Sequence, residues 1–532
     1  MRTFGTRGPV DPEKNFIVHR TDEIADFINR VKEGRYIVIF APRQTGKTTF
    51  FYRALDKLID EDETYFPIQL DFEEYKNRSV SDFYRYLYED IREEIEVVLQ
   101  KRGNSISEVL MHFLESTQIS DHVLMRRFFS NLARLLKGQR VVLIIDEFDG
   151  IPKTVVSDFL YSLRRIYVSR TTPQSPYSLS IIGVKNIRQL NYDRSISPFN
   201  IQDEFTLSNF TLEQVDELLK QYTEEIGQAF TMEVVTSIHK QTGGQPFLVN
   251  RFGQILTEEM DIPKTETITI AHFAKAYTYL LREANTNIDH LRTNVRRDRR
   301  FGDILMQIAS YDRGLPFNPD DALMNELVTY GVITEGRDGM CEIVNPLYQH
   351  RILQIFKPFV NGLEDTYFPE DTDIGFTDYL TSEGDIDLES LLDNFQAFIA
   401  RAGFRILQVP DTPQEYVGQH LLYAYLDHFV RVVGANMFLE VPTGRGRMDL
   451  LIIHNARKYI VETKIWEGAR RYEVGKKQLT AYLKLEDAMA GYYVIFDHRQ
   501  APDSRVETET VEGVTLRSYV IPVVQERPSV VT

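Results

Sequence analysis

The chain has 532 residues, 43% hydrophobic and 26% charged, which is ordinary for globular proteins and long enough for about three domains. Its 61 Lys and Arg against 78 Asp and Glu leave a net charge of −17. That excludes a surface coated in base for indiscriminate DNA binding, but not a local basic site. The one cysteine, Cys341, excludes an internal disulfide and a zinc site of several thiolates, and points to a reducing, cytoplasmic setting.

The opening MRTFGTRGPVDPEKNF lacks the apolar stretch of a secretory leader. No apolar run reaches the roughly 18 residues of a membrane span, so no membrane partner is expected. Up to about residue 265, short apolar runs alternate with amphipathic helical stretches. YIVIF (36–40), YFPIQLDF (65–72), VVLIID (141–146) and YSLSIIGV (177–184) read as strands. Their near-continuous apolar character predicts a parallel sheet buried on both faces, hence an α/β domain over 1–265.

From 266 to 360 the pattern is helical, then a short β-ribbon, an order that resembles a winged-helix module. Residues 361–385 are acidic and broken by Gly and Pro, as in a linker. From 386 to 532 the pattern reads helix, helix, strand, strand, helix, strand, a small α/β domain.

The first chemical signal follows the 36–40 strand. Ala41-Pro42-Arg43-Gln44-Thr45-Gly46-Lys47-Thr48-Thr49 leads into a helix. It is a GxxxxGK[ST] phosphate loop with Ala41 at the first Gly. Backbone N–H groups of such a loop wrap phosphates, Lys47 neutralises the β- and γ-phosphates, and Thr48 ligates Mg²⁺. Asp146 and Glu147 end the 141–146 strand. Asp146 would hold the Mg²⁺ and Glu147 would polarise the attacking water. Beyond the 177–184 strand, Asn186 or Lys185 could sense the γ-phosphate. Arg188 and Arg194 could serve a neighbouring subunit, which would require a homo-oligomer. The alternative for these four is solvated surface.

APRQTGKTT, VVLIIDEFD, SPFNI with DEFTLSNFTLEQV, and TGGQPFLVNRF together resemble the AAA-like ATPases, alongside the STAND and archaeal-type P-loop ATPases. The resemblance covers roughly residues 10–265. It implies a P-loop sheet with a helical lid, ATP as cofactor, and Pro246 at a nucleotide-contacting position. Read from the residues alone, Gly243-Gly244-Gln245-Pro246 is a helix stop and a new helix start.

The second signal lies in EVPTGRGRMDLLIIHNARKYIVETK (440–464). Two strands flank a short polar turn, with Asp449 opening the first and Glu462 closing the second. Strand alternation puts Glu462 and Lys464 on one face. Two carboxylates suit a hard divalent cation, and Lys464 could position a water. A solvated hairpin is the plain alternative. The layout resembles the PD-(D/E)XK nuclease superfamily over roughly 386–500. The resemblance makes Asp449 and Glu462 metal ligands and Lys464 catalytic, with Glu415 as the early helical acid and Gln478, followed by Tyr482, on the downstream helix. Met448 replaces the motif's Pro. Arg445, Arg447, Arg470, Arg471, Lys476 and Lys477 gather nearby in sequence, and Arg292, Arg296, Arg297, Arg299 and Arg300 form a second basic cluster, either a DNA contact or a solvated helix face.

The expectation is an α/β multidomain protein: a P-loop NTPase sheet with helical lid, a winged helix, and a restriction-endonuclease-like domain. It would bind and hydrolyse ATP and cut nucleic acid, DNA foremost, with Mg²⁺ or Mn²⁺. A defence role against foreign genetic elements is implied by resemblance alone. The competing expectation is a nucleotide-dependent switch or scaffold with an inactive nuclease-like domain.

Overall fold

The computed structural model describes residues 2–40, 45–103, 106–136, 138–169, 174–183, 203–283, 299–310, 315–336, 338–355, 379–402, 414–443, 446–455, 457–499 and 502–523. They fall into two compact units. The first comprises 1–209, 245–247 and 328–331, and the second comprises 210–244, 248–327 and 332–532.

The first unit is built on a parallel sheet. Helix α1 (Thr21–Lys32) leads to β1 (Tyr36–Phe40), then α2 (Lys47–Glu61) and β2 (Tyr65–Asp71). Helices α3 (Val80–Lys101), α4 (Glu108–Ser116) and α5 (His122–Leu135) precede β3 (Arg140–Asp146). Then come α6 (Val156–Ser169), β4 (Ser178–Gly183) and the two-residue β5 (Asp203–Glu204). The strand order is β2-β3-β4-β1-β5, all parallel. Alternate residues feed two separate cores. Tyr36, Val38, Leu143 and Ile145 face one, and Ile37, Ile39, Val142 and Ile144 face the other. That double burial is why the strands read as unbroken apolar runs.

The second unit begins with α7 (Leu212–Ile226), which opens on a capping box between Thr211 and Gln214. Helix α8 (Met232–Thr242) stops at Gly243 in the left-handed region, and Pro246 starts α9 (Pro246–Gln254), as Gly-Gly-Gln-Pro predicts. Helices α10 (Ile270–Arg282), α11 (Arg299–Ser310) and α12 (Ala322–Thr329) follow. The strands β6 (Ile333–Glu335) and β7 (Cys341–Ile343) pair antiparallel, and α13 (Pro346–Ile355) comes next. Cys341 is buried, and burial, with Asp321 and Glu335 nearby, raises its thiol above the ordinary value.

The C-terminal sheet is flanked by α14 (Leu388–Ala402) and α15 (Gln414–Val432). Its strands are β8 (Asn436–Thr443), β9 (Gly446–His454), β10 (Arg457–Ile465), β11 (Ala490–Asp497), β12 (Arg505–Val511) and β13 (Val514–Pro522), with α16 (Ala469–Leu485) between β10 and β11. The order is β8-β9-β10-β11-β13-β12, antiparallel except for the β10/β11 and β11/β13 pairs. Leu450, Ile452, Val461, Val494 and Phe496 pack on Leu391, Phe395, Leu422 and Leu426 of α14 and α15. The opposite face is left for Glu462 and α16.

The C-terminal sheet holds more strands than the sequence pattern marks. Three strands precede α16 and three elements follow it, so β8 and the β12–β13 hairpin were not expected. Asp449 is the fourth residue of β9 rather than its first. Of the acidic stretch 361–385, only 379–385 lies within the described residues, and there Leu380 bridges to Ile386 and packs on the same core.

Candidate functional site

The nucleotide-site residues sit where β1 and β3 end side by side around β4. Gly46 has φ +80, a conformation that favours glycine, and it caps the start of α2. Thr45 and Lys47 are buried. Thr48 Oγ1 donates to Asp146 Oδ2 at 3.2 Å, so the Walker-type hydroxyl and acid meet across 98 residues. Asp146 Oδ1 accepts the Glu147 N–H at 2.8 Å. Burial raises the Asp146 carboxyl, against the lowering by that N–H, Lys47 and Thr48.

Glu147 stands in the left-handed region at φ +46, a strained backbone for a residue with a Cβ. Thr49 is engaged elsewhere: its Oγ1 accepts the Val10 N–H at 3.0 Å and so anchors the N-terminal segment. A Cβ built on Gly46 would lie 4.0 Å from Pro246 Cβ, which brings Pro246 to the phosphate loop. Ala41, Pro42, Arg43, Gln44, Lys185, Asn186, Arg188 and Arg194 lie outside the described residues. Tyr52 stands one turn after Thr48 on α2 and is 46% exposed. Burial first, then Glu94, Asp146 and Asp71, hold its phenol above the ordinary value.

The second site is on the β9–β10 pair. Leu450 pairs with Val461, so Asp449 and Glu462 stand opposite each other on adjoining strands. Asp449 N–H donates to Glu462 Oε2 at 3.3 Å. Lys464 Nζ lies 3.2 Å from Glu462 Oε1 and 3.9 Å from Asp449 Oδ2. Glu462 has 0% exposure. Burial, with the like charge of Asp449, pushes its carboxyl well above the usual range, against the pull of Lys464.

Thr463 anchors Asp449 from the neighbouring strand. Its N–H and Oγ1 both donate to Asp449 Oδ2, at 2.6 and 2.8 Å, which fixes the Asp449 rotamer. No local pattern in the sequence signals a partner on a neighbouring strand.

The other predicted members are less well gathered. Gln478 is exposed and donates to Tyr482 Oη at 2.6 Å, not to the Asp449–Glu462–Lys464 group. The side chains of Glu415, Arg447 and Arg299 lie outside the described residues, as do Arg292, Arg296, Arg297 and Arg445. Lys476 is buried and paired with Glu509 at 2.6 Å and Glu473 at 3.4 Å, so it does not join a phosphate-binding cluster. Among the described residues, no group of three or more His, Cys, Asp or Glu converges on one point. No described helix is long and apolar enough to cross a membrane.

The sequence matches the AAA-like domain family over residues 6–350 and a domain of unknown function over 388–500. No curated protein matches it. Among solved structures, a Walker-type ATPase of Pyrococcus abyssi is similar at 17% identity and a TM-score of 0.47, covering 66% of this chain and 99% of that one. The ORC1 protein of Aeropyrum pernix in complex with DNA aligns at 15% identity and a TM-score of 0.33, over 65% and 94% of the two chains. The RuvB Holliday junction branch migration motor of Thermotoga maritima aligns at 15% identity and a TM-score of 0.33, over 62% and 94%. The family match over 6–350 takes in the phosphate loop, the Asp146–Glu147 strand end and Pro246, and by it the chain belongs to the AAA-like family of P-loop ATPases.

Proposed function

We propose that the protein hydrolyses ATP and couples its nucleotide state to divalent-metal-dependent cleavage of phosphodiester bonds in nucleic acid, DNA foremost. The observation that carries the cleavage reading is Glu462, fully buried, opposite Asp449 and 3.2 Å from Lys464. Two buried acids of like charge are costly unless a proton or a cation lies between them. A structural pair would be cheaper as two apolar residues, so the constellation favours a metal-binding role.

The donor set fits a hard cation such as Mg²⁺ or Mn²⁺, held by the two carboxylates. When bound, such an ion polarises a phosphodiester and stabilises the leaving oxygen. Thr463 keeps Asp449 in place. The Lys464 ammonium would orient the attacking water or a neighbouring phosphate oxygen. At the first site, Lys47 would neutralise the β- and γ-phosphates, Thr48 and Asp146 would hold Mg²⁺, and Glu147 would orient the lytic water.

We read 1–265 as the ATPase with its helical lid, 266–360 as a winged helix built on α11, α12 and the β6–β7 ribbon, and 361–385 as a linker. Residues 386–532 would be the nuclease-like domain. A homo-oligomer would supply Arg188 or Arg194 in trans. Defence against foreign genetic elements is the setting this combination suits.

The test crosses plasmid, linear duplex, single-stranded DNA and RNA with Mg²⁺ or Mn²⁺, with ATP or a non-hydrolysable analogue. Cleavage is expected in wild type and lost in Glu462→Ala and Lys464→Ala. If every substrate stays intact under all these conditions, the cleavage reading fails and the nucleotide-dependent switch takes its place.

A further inference from the structure

The cleavage reading leaves one group of side chains without a task. Strand β10 ends at Ile465, yet its pairing continues one residue further: Trp466 N–H donates to Phe496 O at 3.0 Å. Side chains alternate along a strand, so Glu462, Lys464 and Trp466 share a face. The register extends that face sideways. Lys464 pairs with Ile495, Ile495 with Val520, and Val520 with Arg505. Residues in such a row point the same way, and three strand spacings put Arg505 roughly 14 Å from Lys464.

Arg505 lies over two rings, 5.2 Å from the Trp466 centroid and 5.0 Å from that of Tyr472. Arg499 lies 4.6 Å from the Trp466 centroid. Among the described residues the Arg505 side chain makes no hydrogen bond, and its Nε is buried. Its nearest acids, Glu507 at 3.6 Å and Asp503 at 3.8 Å, are too far to accept one. A guanidinium has five N–H donors. Here one lies over two aromatic rings, with two acids near it and no side-chain hydrogen bond among the described residues. Arg499 engages Asp497 through Nε at 2.9 Å and Nη2 at 2.6 Å, leaving Nη1.

Both guanidinium groups lie by the Trp466 ring, where an anion with several acceptor oxygens would find donors on each and a flat ring system would find the exposed Arg499 plane. We infer that Trp466, Arg499 and Arg505 bind the backbone of a single-stranded nucleic acid, a few nucleotides from the bond that is cut. A paired base keeps its faces inside the duplex, so only an unpaired strand can use both the planes and the charge. The identity of the ligand rests on the cleavage reading.

Trp466 is the chain's only tryptophan, so its emission reports this site alone. The full chain is titrated in EDTA, where nothing is cut, with a single-stranded DNA, the same sequence as RNA, and the matching duplex. Quenching of Trp466 by either single strand, tighter than by the duplex, is expected. Arg505→Ala weakens binding about tenfold and lowers the salt slope by about 0.7. Arg505→Lys keeps the salt slope and loses part of the affinity, which separates lost charge from lost fold. Unchanged emission, binding by Arg505→Ala and Arg505→Lys equal to wild type, or preference for duplex each overturns the inference. If wild type cuts nucleic acid while these variants bind unchanged, this site alone falls. If nothing is cut with any metal, the cleavage reading falls, and the quench still decides the binding site.

Discussion

Lys458 Nζ reaches Glu233 at 3.0 Å and Glu486 at 3.4 Å. Lys458 is on β10, four residues before Glu462, and Glu233 is in the first turn of α8. Lys240, also on α8, takes Glu486 at 3.3 Å. Alternating charges thus tie a helix of the AAA-like region to the strand that carries the proposed metal ligands. Burial alone would lower the Lys458 ammonium, but Glu233 and Glu486 more than reverse this and leave it raised. The α8 helix ends at Gly243, three residues before Pro246, so its chain runs directly to the phosphate loop's neighbour.

These pairs are partly exposed, so Glu233→Ala and Lys458→Ala should each cost under about 1 kcal/mol of stability. Their effect on coupling should be larger. The ratio of cleavage rates with and without ATP is expected to move towards one in either variant, with ATP hydrolysis retained. A double-mutant cycle on that ratio checks the link: additive effects would show that the two residues act independently.

At the nucleotide site, Lys47→Ala should abolish ATP binding in a fluorescent-nucleotide titration. Glu147→Gln should retain binding and lose hydrolysis by about 10²–10⁴-fold. Equal loss of both in Glu147→Gln would assign it a structural role.

Glu462 gives a pH prediction. Its folded-state carboxyl is raised to about 8, above its unfolded value. The folded chain therefore holds a proton that the unfolded chain has lost, and stability falls as pH rises between those values. Metal competes with that proton, so apparent Mn²⁺ affinity should rise from pH 6 towards pH 8 with proton release. Calorimetry in two buffers of different ionisation enthalpy measures the release. Glu462→Gln should flatten the dependence of Tm on pH and abolish Mn²⁺ binding.

A fourth prediction concerns packing. Gly475 of α16 lies against Tyr493, and a Cβ there would overlap Tyr493 Oη. Tyr493 is the register partner of Glu462. Gly475→Ala should cost about 1–3 kcal/mol and lower cleavage, leaving ATP hydrolysis in place. Adding Tyr493→Phe removes the crowding oxygen and should restore part of the Tm.

The parallel sheet was legible because double burial writes itself as continuous apolar runs, and the phosphate loop because its residues are contiguous. Strand β12 was not. Its RVETETV alternates charge with Val and Thr at the sheet margin, where Val506 is exposed, so no apolar face marks it. Asp449, Glu462 and Lys464 could be named from spacing, since one hairpin joins them. Thr463's bonds to Asp449 and the row from Lys464 to Arg505 depend on register between strands, which no single segment encodes.

Cys341 has a practical consequence. The thiol is buried at 5% exposure, its pKa is raised, and it is the chain's only one. Thiolate is the reactive form, so the native chain offers labelling reagents almost nothing. A single cysteine introduced at an exposed position, such as Val109 on α4 or Val474 on α16, would carry a dye or spin label alone. Pairs of such labels could follow distance changes through the ATP cycle without first removing a native residue.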